Sequence, residues 1–294
     1  MQSFLKLLNL LDYCLMKVSI QGQPASFHDL AQKEFLKGQD VDLLCRNTFD
    51  EVFEDVTEEK AEIGVIAIEN TLYGSINQVY DLLLEHKSWI IGEVYLRIRH
   101  NLLGFPGVSL ENIKEVHSHP VALAQCEKFL DEKMPHAERF EHHDTAGSAE
   151  DVVRWGDPTK AAIASKEAAD RYNLEILASD IETNKHNYTR FIVIKKSMKL
   201  LTGIGKTSIV LEMPEAGKPG ALFRALKAFA DENINLTKIE SRPVIGKAFN
   251  YYFYLDFEKG IESPITEKII LQLKKDGNKV TILGSYPIGE LPSA

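Results

Sequence analysis

Three stretches in the first two thirds of the chain repeat one pattern: a short apolar run, a polar stop, then apolar residues spaced for one face of a helix. Residues 63–68 form the first run and predict a buried strand, which Glu69-Asn70-Thr71 ends. Ile76, Val79, Tyr80 and Leu83 then share a helical face, and Ser75-Ile76-Asn77-Gln78 has the form of a capping box, which predicts a helix opening at Ser75. Residues 113–117 predict the second strand. His119-Pro120 puts a proline in the first turn of a helix continuing through Val121, Ala124 and Leu130. Residues 161–164 predict the third strand, and Ser165 caps a helix running to Tyr172. Alternating strands and helices predict an α/β fold with a parallel sheet and helices on both faces. Ligands of such sheets bind beyond the strand C-termini, where helix N-termini present free amides. The stops at Glu69-Asn70-Thr71 and Ser118-His119 are therefore placed to hold a carboxylate.

Over 195–206 the pattern loosens, and Gly203 and Gly205 mark a linker. A different order follows: strand 207–213, helix 221–231, strand 235–241, an alternating strand 247–257, helix 265–275 and strand 279–283. This βαββαβ order is the ferredoxin-like arrangement, whose open sheet edge predicts side-by-side pairing of two copies. Two domains also suit a chain of 294 residues. The greasy first fifteen residues carry only Lys6 in front, hold Asp12 within the run and lack a cleavage site, which argues against a signal peptide. They read either as a short extra helix or, preferably, as an extension upstream of a natural start at Met16.

Composition narrows the chemistry. With 44% hydrophobic and 26% charged residues the chain can build an ordinary core, and its net charge of -9 disfavours nucleic acid as a partner. An anionic ligand must then be met by local groups. Cys14, Cys45 and Cys126 are widely spaced and fit reduced cytosolic thiols. No run approaches the ~20 apolar residues of a membrane-spanning helix. His117-x-His119 and His142-His143-Asp144 lack a third ligand at recognisable spacing, so no metal is expected. No dinucleotide or Walker pattern appears, and Gly203-Ile204-Gly205-Lys206-Thr207 reads as linker. Thr189-Arg190-Phe191 runs into the apolar strand at Ile192. Arg190 offers a planar fork for a carboxylate and Thr189 a hydroxyl that can move a proton; a surface Asn-x-Thr sequence at a strand edge accounts for the pattern equally well.

Gly64-Val65-Ile66-Ala67-Ile68-Glu69-Asn70-Thr71, with Gly74-Ser75 and Asp81-Leu82-Leu83 after it, resembles the G-V-x-P-I-E-N-S region of the prephenate dehydratases. Ser118-His119-Pro120, Gln125-Cys126, Asp144-Thr145-Ala146, Ala164-Ser165 and Asn187-x-Thr189-Arg190-Phe191 are similar to later motifs of that family, in the same order. Gly220-Ala221-Leu222 and Glu240-Ser241-Arg242-Pro243 resemble the G-A-L and E-S-R-P signatures of its ACT domain. Ala67 and Thr71 depart from the usual Pro and Ser, and Gly22-Gln23-Pro24-Ala25-Ser26-Phe27 is a loose G-P-x-G-T-F with alanine for glycine.

The resemblance implies a two-lobed catalytic domain like the periplasmic binding proteins over 17–196, after an extension over 1–16. One lobe would take 17–98 and 178–196, the other 99–177, and an ACT domain would span 206–288. It implies conversion of prephenate to phenylpyruvate with loss of carbon dioxide and water, without cofactor or metal, in the cytoplasm. The implied catalytic residues are Thr189, Arg190, Ser118 and His119, with Thr189 serving the leaving hydroxyl, through a relay by Ser118 or His119, and Arg190 anchoring a carboxylate or holding the Thr189 loop. Asn70, Thr71, Ser75, Thr145, Ser26 and Phe191 would line the substrate cleft. Gly220, Ala221, Leu222, Asn235, Leu236, Glu240, Ser241 and Arg242 would bind phenylalanine as a feedback effector. The implied assembly is a homodimer or homotetramer through ACT and catalytic domains, with no nucleic acid and no membrane. Arogenate dehydratase and a non-catalytic amino-acid sensor remain as alternatives.

Overall fold

A computed structural model describes residues 15–197, 205–213, 219–247 and 250–292. The predicted N-terminal extension up to residue 14, most of the linker with Gly203, and Ala248-Phe249 of the predicted alternating strand lie outside these residues.

The run at Ile63 becomes β3 (Ile63–Asn70), whose first six residues are buried. It lies beside β1 (Met16–Gln21), and β1 lies beside β2 (Val41–Arg46), all parallel. Three helices pack on this sheet: α1 (Phe27–Phe35), α2 (Phe49–Thr57) and α3 (Asn77–Glu85). The predicted opening of α3 at Ser75 differs from the structure. Gly74–Ser75 is a short strand, β4, paired with the end of β3, and α3 starts after Ile76 with no side-chain cap.

β5 (Trp89–Arg97) leads into a second sheet of β6 (Asn101–Gly104), β7 (Glu115–Ser118), β8 (Glu138–Glu141), β9 (Lys160–Ala164) and β10 (Glu175–Ala178), ordered β10-β6-β9-β7-β8. α4 (Pro120–Gln125), α5 (Glu127–Lys133), α6 (Thr145–Trp155) and α7 (Lys166–Tyr172) cover it, so the helix predicted from His119 through Leu130 is broken at Cys126. The chain then returns as β11 (Tyr188–Lys195), antiparallel to both β3 and β5. Both sheets are therefore mixed, not parallel throughout. A strand that comes back without a crossover helix enters at the end where its neighbour leaves, and so runs antiparallel.

Two contacts join the sheets across the turn before α1. Gln23 N–H donates to Asp144 Oδ2 at 3.3 Å, and Ser165 Oγ donates to the Ala25 carbonyl at 2.8 Å. Ala25, which stands where the resembled motif has glycine, takes a left-handed backbone with φ of 69°. Its buried methyl packs beside Leu103 and Ala146, which offsets the roughly 1–2 kcal/mol that this conformation costs an L-residue.

β12 (Lys206–Glu212), α8 (Ala221–Ala230), β13 (Leu236–Pro243), β14 (Tyr251–Phe257), α9 (Pro264–Lys275) and β15 (Lys279–Tyr286) form the predicted βαββαβ unit, ordered β13-β14-β12-β15. Its own core includes Leu211, Phe229, Leu255, Phe257, Ile269 and Leu273. Its sheet continues into the first one, because β15 pairs with β5 at Gly284 and Ile90. A Cβ on Gly284 would lie 2.2 Å from the Ile90 carbonyl oxygen, so only glycine permits the approach. No helix among the described residues is long and apolar enough to cross a membrane. Gly284→Ala is expected to destabilise the protein by about 1–3 kcal/mol through this backbone clash, read as a lower urea midpoint.

Candidate active site

The two sheets face each other across a cavity of about 230 Å³. β3 and β11 supply one wall, and their register sets Thr189 opposite Asn70. Asn70 Oδ1 accepts from the amides of Leu72 and Tyr73, at 2.9 and 3.1 Å, which fixes the side-chain amide. Its Nδ2 then donates to Thr189 Oγ1 at 2.9 Å and to Asn187 Oδ1 at 2.8 Å. Because Thr189 oxygen accepts from Asn70, its own hydroxyl proton is available to another acceptor. Asn187 Nδ2 donates onward to Gln125 Oε1 at 2.9 Å, which carries the network onto α4, one of the helices covering the second sheet.

Apart from the Asp144 carboxylate, the rest of the lining is aromatic, aliphatic and neutral polar, and among the described residues it contains no lysine or arginine. Phe27, Phe49, Ile76, Ile98, Val121 and Phe191 form apolar surface, while Ser26, His28, His100, His119, His143 and Thr145 add polar edges. Ser26 and Asp144 cap the N-termini of α1 and α6 at the cleft wall. First-turn amides of a helix lack intrahelical acceptors and sit at the positive end of its dipole, which suits an anion.

Burial, reinforced by nearby His119, pushes the His28 imidazole down to about 3, so it is neutral at pH 7. Its Nε2 accepts from the Ala67 amide at 3.2 Å, which leaves the proton on Nδ1. Burial also lowers His119, partly offset by Asp144 and Glu141, and its Nδ1 accepts from the Val121 amide at 3.2 Å. His100 is lowered by burial as well; its ring nitrogen Nε2 meets Gln125 Oε1 at 2.8 Å. Since that oxygen has only lone pairs to offer, Nε2 carries the His100 proton.

Of the residues expected at the cleft, Thr189, Asn70, His119, Thr145, Ser26 and Phe191 line it together. Four expected residues point elsewhere. Ser118 Oγ donates to the Ile163 carbonyl at 2.6 Å inside the second sheet, so it cannot relay a proton to Thr189. Thr71 Oγ1 donates to the His186 carbonyl at 3.0 Å and ties the end of β3 to the approach of β11. Ser75 bonds to Lys238 and Glu240 of the C-terminal unit. Arg190 follows Thr189 on a strand, so it emerges on the opposite face. There its Nε donates to Glu93 at 2.8 Å, and its two terminal nitrogens donate to Asp256 at 2.6 Å and the Tyr286 hydroxyl at 3.0 Å.

Burial alone would lower the Arg190 pKa, but Asp256, Tyr286 and Glu93 hold it well above the ordinary value. A direct grip on substrate by Arg190 is thereby corrected: the guanidinium joins the two domains. Removing it would strand buried carboxylates, a loss of about 3–5 kcal/mol.

Gly220, with φ of 78°, starts α8 at Ala221 and Leu222, as its signature suggested, and Leu222 and Leu236 pack on the C-terminal core. Glu240 and Arg242 are not free for an effector in this arrangement: Glu240 holds Ser75, and Arg242 makes a two-point pair with Asp81 at 3.2 and 2.6 Å. Asn235 and Ser241 are exposed.

His28, His100, His143 and Gln125 also line the cleft and Asn187 joins its network, though none of the five is expected there from the sequence. Gln125 and Asn187 stood in the recognised motifs, and His28 lies in the first turn of the helix capped by Ser26. His100 had no local signal, because the strand crossing between sheets brings it to the cleft.

Residues 18–199 match the family model of prephenate dehydratase, and residues 208–274 match that of the ACT domain. The chain belongs to the prephenate dehydratase family. A prephenate dehydratase of Methanocaldococcus jannaschii is 41% identical over 90% of this chain and 95% of its own length. Arogenate dehydratase 4 of Arabidopsis thaliana is 38% identical over 94% of this chain and 69% of that protein. The solved prephenate dehydratase of Arthrobacter aurescens in complex with L-Phe superposes with a TM-score of 0.84 at 29% identity, covering 95% of this chain and 92% of its own. The fold is accordingly that of a prephenate dehydratase carrying a C-terminal ACT domain.

The His28 shift has a consequence for stability. A histidine near 3 when folded and 6.5 when unfolded binds fewer protons in the native state between those values. Its contribution to stability is therefore retained above pH 6.5 and falls as the pH drops through that window, by about 1.4 kcal/mol per pH unit at most. His28→Gln, whose side-chain oxygen can still accept from Ala67, is expected to flatten the acid limb of a melting-temperature profile between pH 7 and 5.

Proposed function

We propose that the chain catalyses the decarboxylating dehydration of prephenate to phenylpyruvate in phenylalanine biosynthesis, with phenylalanine as feedback inhibitor. The observation that carries this reading is the oriented Asn70–Thr189 pair on the wall of a cleft lined mainly by aromatic and neutral polar groups, with no lysine or arginine among the described residues. As the ring carboxylate leaves as carbon dioxide, its bonding pair enters the ring, and the hydroxyl opposite departs once protonated as water. Thr189 supplies the hydrogen bond to that hydroxyl. A threonine is a weak acid, and His119 is neutral, with Nδ1 occupied and its proton on Nε2. Both are therefore assigned to orienting the leaving hydroxyl by hydrogen bonds, while the proton that completes the water comes from solvent.

Apolar surface at Phe27, Phe49 and Phe191 leaves the departing carboxylate poorly solvated, which favours its loss. The side-chain carboxylate is assigned to first-turn amides, with Ser26 and Thr145 as neutral donors. Arg190 is a structural partner of the Thr189 strand in this reading.

The proposed boundaries are 17–196 for the catalytic domain, divided into lobes at about 98 and 178, and 206–288 for the ACT domain. Gly220, Ala221, Leu222, Asn235 and Leu236 are assigned to the effector region, together with Glu240, Ser241 and Arg242 once released from their present contacts. The proposed setting is cytoplasmic, as a homodimer or homotetramer, and the open edge at β13 supports side-by-side pairing.

Purified protein incubated with prephenate is expected to form phenylpyruvate, faster than it forms phenylalanine from arogenate, and added phenylalanine is expected to lower the rate. Turnover of arogenate alone would move the assignment to that substrate. Thr189→Ala is expected to reduce kcat by about 10²- to 10⁴-fold with an unchanged circular dichroism spectrum; near-normal turnover would remove Thr189 from the mechanism.

A further inference from the structure

The register that sets Thr189 opposite Asn70 also sets Arg190 opposite Glu69. Adjacent residues on a strand face opposite sides, so the same two rungs carry the cleft pair in front and a charged pair behind. The C-terminal domain holds both members of the rear pair. Asp256 of β14 and Tyr286 of β15 take the two terminal nitrogens of Arg190, at 2.6 and 3.0 Å. Lys238 of β13 donates to Glu69 at 2.7 Å and to Ser75 at 2.6 Å. Tyr254 of β14 adds a hydrogen bond to the Tyr80 carbonyl at 2.8 Å.

We propose that Glu69 and Arg190 are positioning residues through which the C-terminal domain sets the Asn70–Thr189 hydrogen bond. Arg190 acts through the backbone it shares with Thr189, and Glu69 through the backbone it shares with Asn70. Neither touches substrate. The inference rests on the reading of the cleft as a prephenate site and of the C-terminal domain as its regulator, and it deepens that regulation. On β13 the inward side chains are Lys238, Glu240 and Arg242, and all three are engaged by the catalytic domain, at Glu69, Ser75 and Asp81. An effector that draws Glu240 or Arg242 off these partners shifts the strand carrying Lys238, and the disturbance reaches Asn70 one residue from Glu69. A small displacement suffices, because the rate depends steeply on the placement of the groups that orient the leaving hydroxyl.

The test uses the full chain and two variants outside the cleft, Lys238→Ala and Asp256→Asn, each also made in an Asn70→Ala background. Each single variant is expected to lower kcat for prephenate about tenfold with KM within about twofold, and Lys238→Arg is expected to restore the rate. In the Asn70→Ala background the hydrogen bond is already lost, so the same changes are expected to cost less than about twofold. Wild-type kcat in folded Lys238→Ala and Asp256→Asn overturns the inference, and so does an equal loss with and without Asn70. Should Asp256→Asn fail to fold, Lys238→Ala carries the comparison.

A second readout does not depend on turnover. The Asn70 side-chain amide resonance, identified by its loss in Asn70→Ala, is expected to shift in Lys238→Ala. Absence of wild-type turnover on prephenate and arogenate overturns the catalytic reading; the inference then stands or falls on that resonance, and an unmoved signal overturns it.

Discussion

Arg190 and Lys206 meet Glu93 and Asp256 in a buried quartet between the catalytic and ACT domains. Lys206 Nζ donates to Glu93 at 2.7 Å, while Arg190 reaches both carboxylates. Two cations and two anions balance, so none of the four faces the cost of an unpaired buried charge. Their hydrogen bonds span β5, β11, β12 and β14, and Gly289 adds an amide to Glu93 at 3.0 Å. Such a set fixes relative placement more than it adds stability, because desolvation of the ions offsets much of their attraction. All four strands belong to one ten-stranded sheet, so the quartet and the β15–β5 pairing act on the same junction between the domains.

On the other side of β11 the design is reversed. Among the described residues the cleft has no lysine or arginine, its carboxylate, Asp144, is taken up by the amides of Gln23 and Gly147, and burial keeps His28 neutral. A dianion entering such a site meets helix amides and neutral donors. A fixed cation beside the ring carboxylate would stabilise the very charge that must be lost, so neutral donors suit decarboxylation better. Strand alternation makes both arrangements possible within one segment: charged residues behind, neutral polar residues in front.

Much of this was legible in the chain. The apolar run at 63–68, the Ser165 cap and the βαββαβ order each follow from local periodicity and capping, which tertiary contacts left in place. Ser75 shows where local reasoning gave way. Its capping-box spacing predicted a helix start, but its hydroxyl bonds Lys238 and Glu240, over 160 residues later. Ser118 misled similarly, since a polar residue at a strand end can turn into the sheet as easily as into a cleft. His28 and His100 went unassigned because nothing in their neighbours said which way the rings would face.

Taken alone, the sequence determined the α/β body, the ferredoxin-like tail, the family and the chemical types at the cleft, because these depend on periodicity and on motifs a few residues long. It also put Thr189 and Arg190 side by side. Only the tertiary structure decided that one faces the cleft and the other the ACT domain. That choice depends on strand register and on the position of Asp256, 66 residues further along the chain. Contacts at such separations follow from how the sheets close on one another.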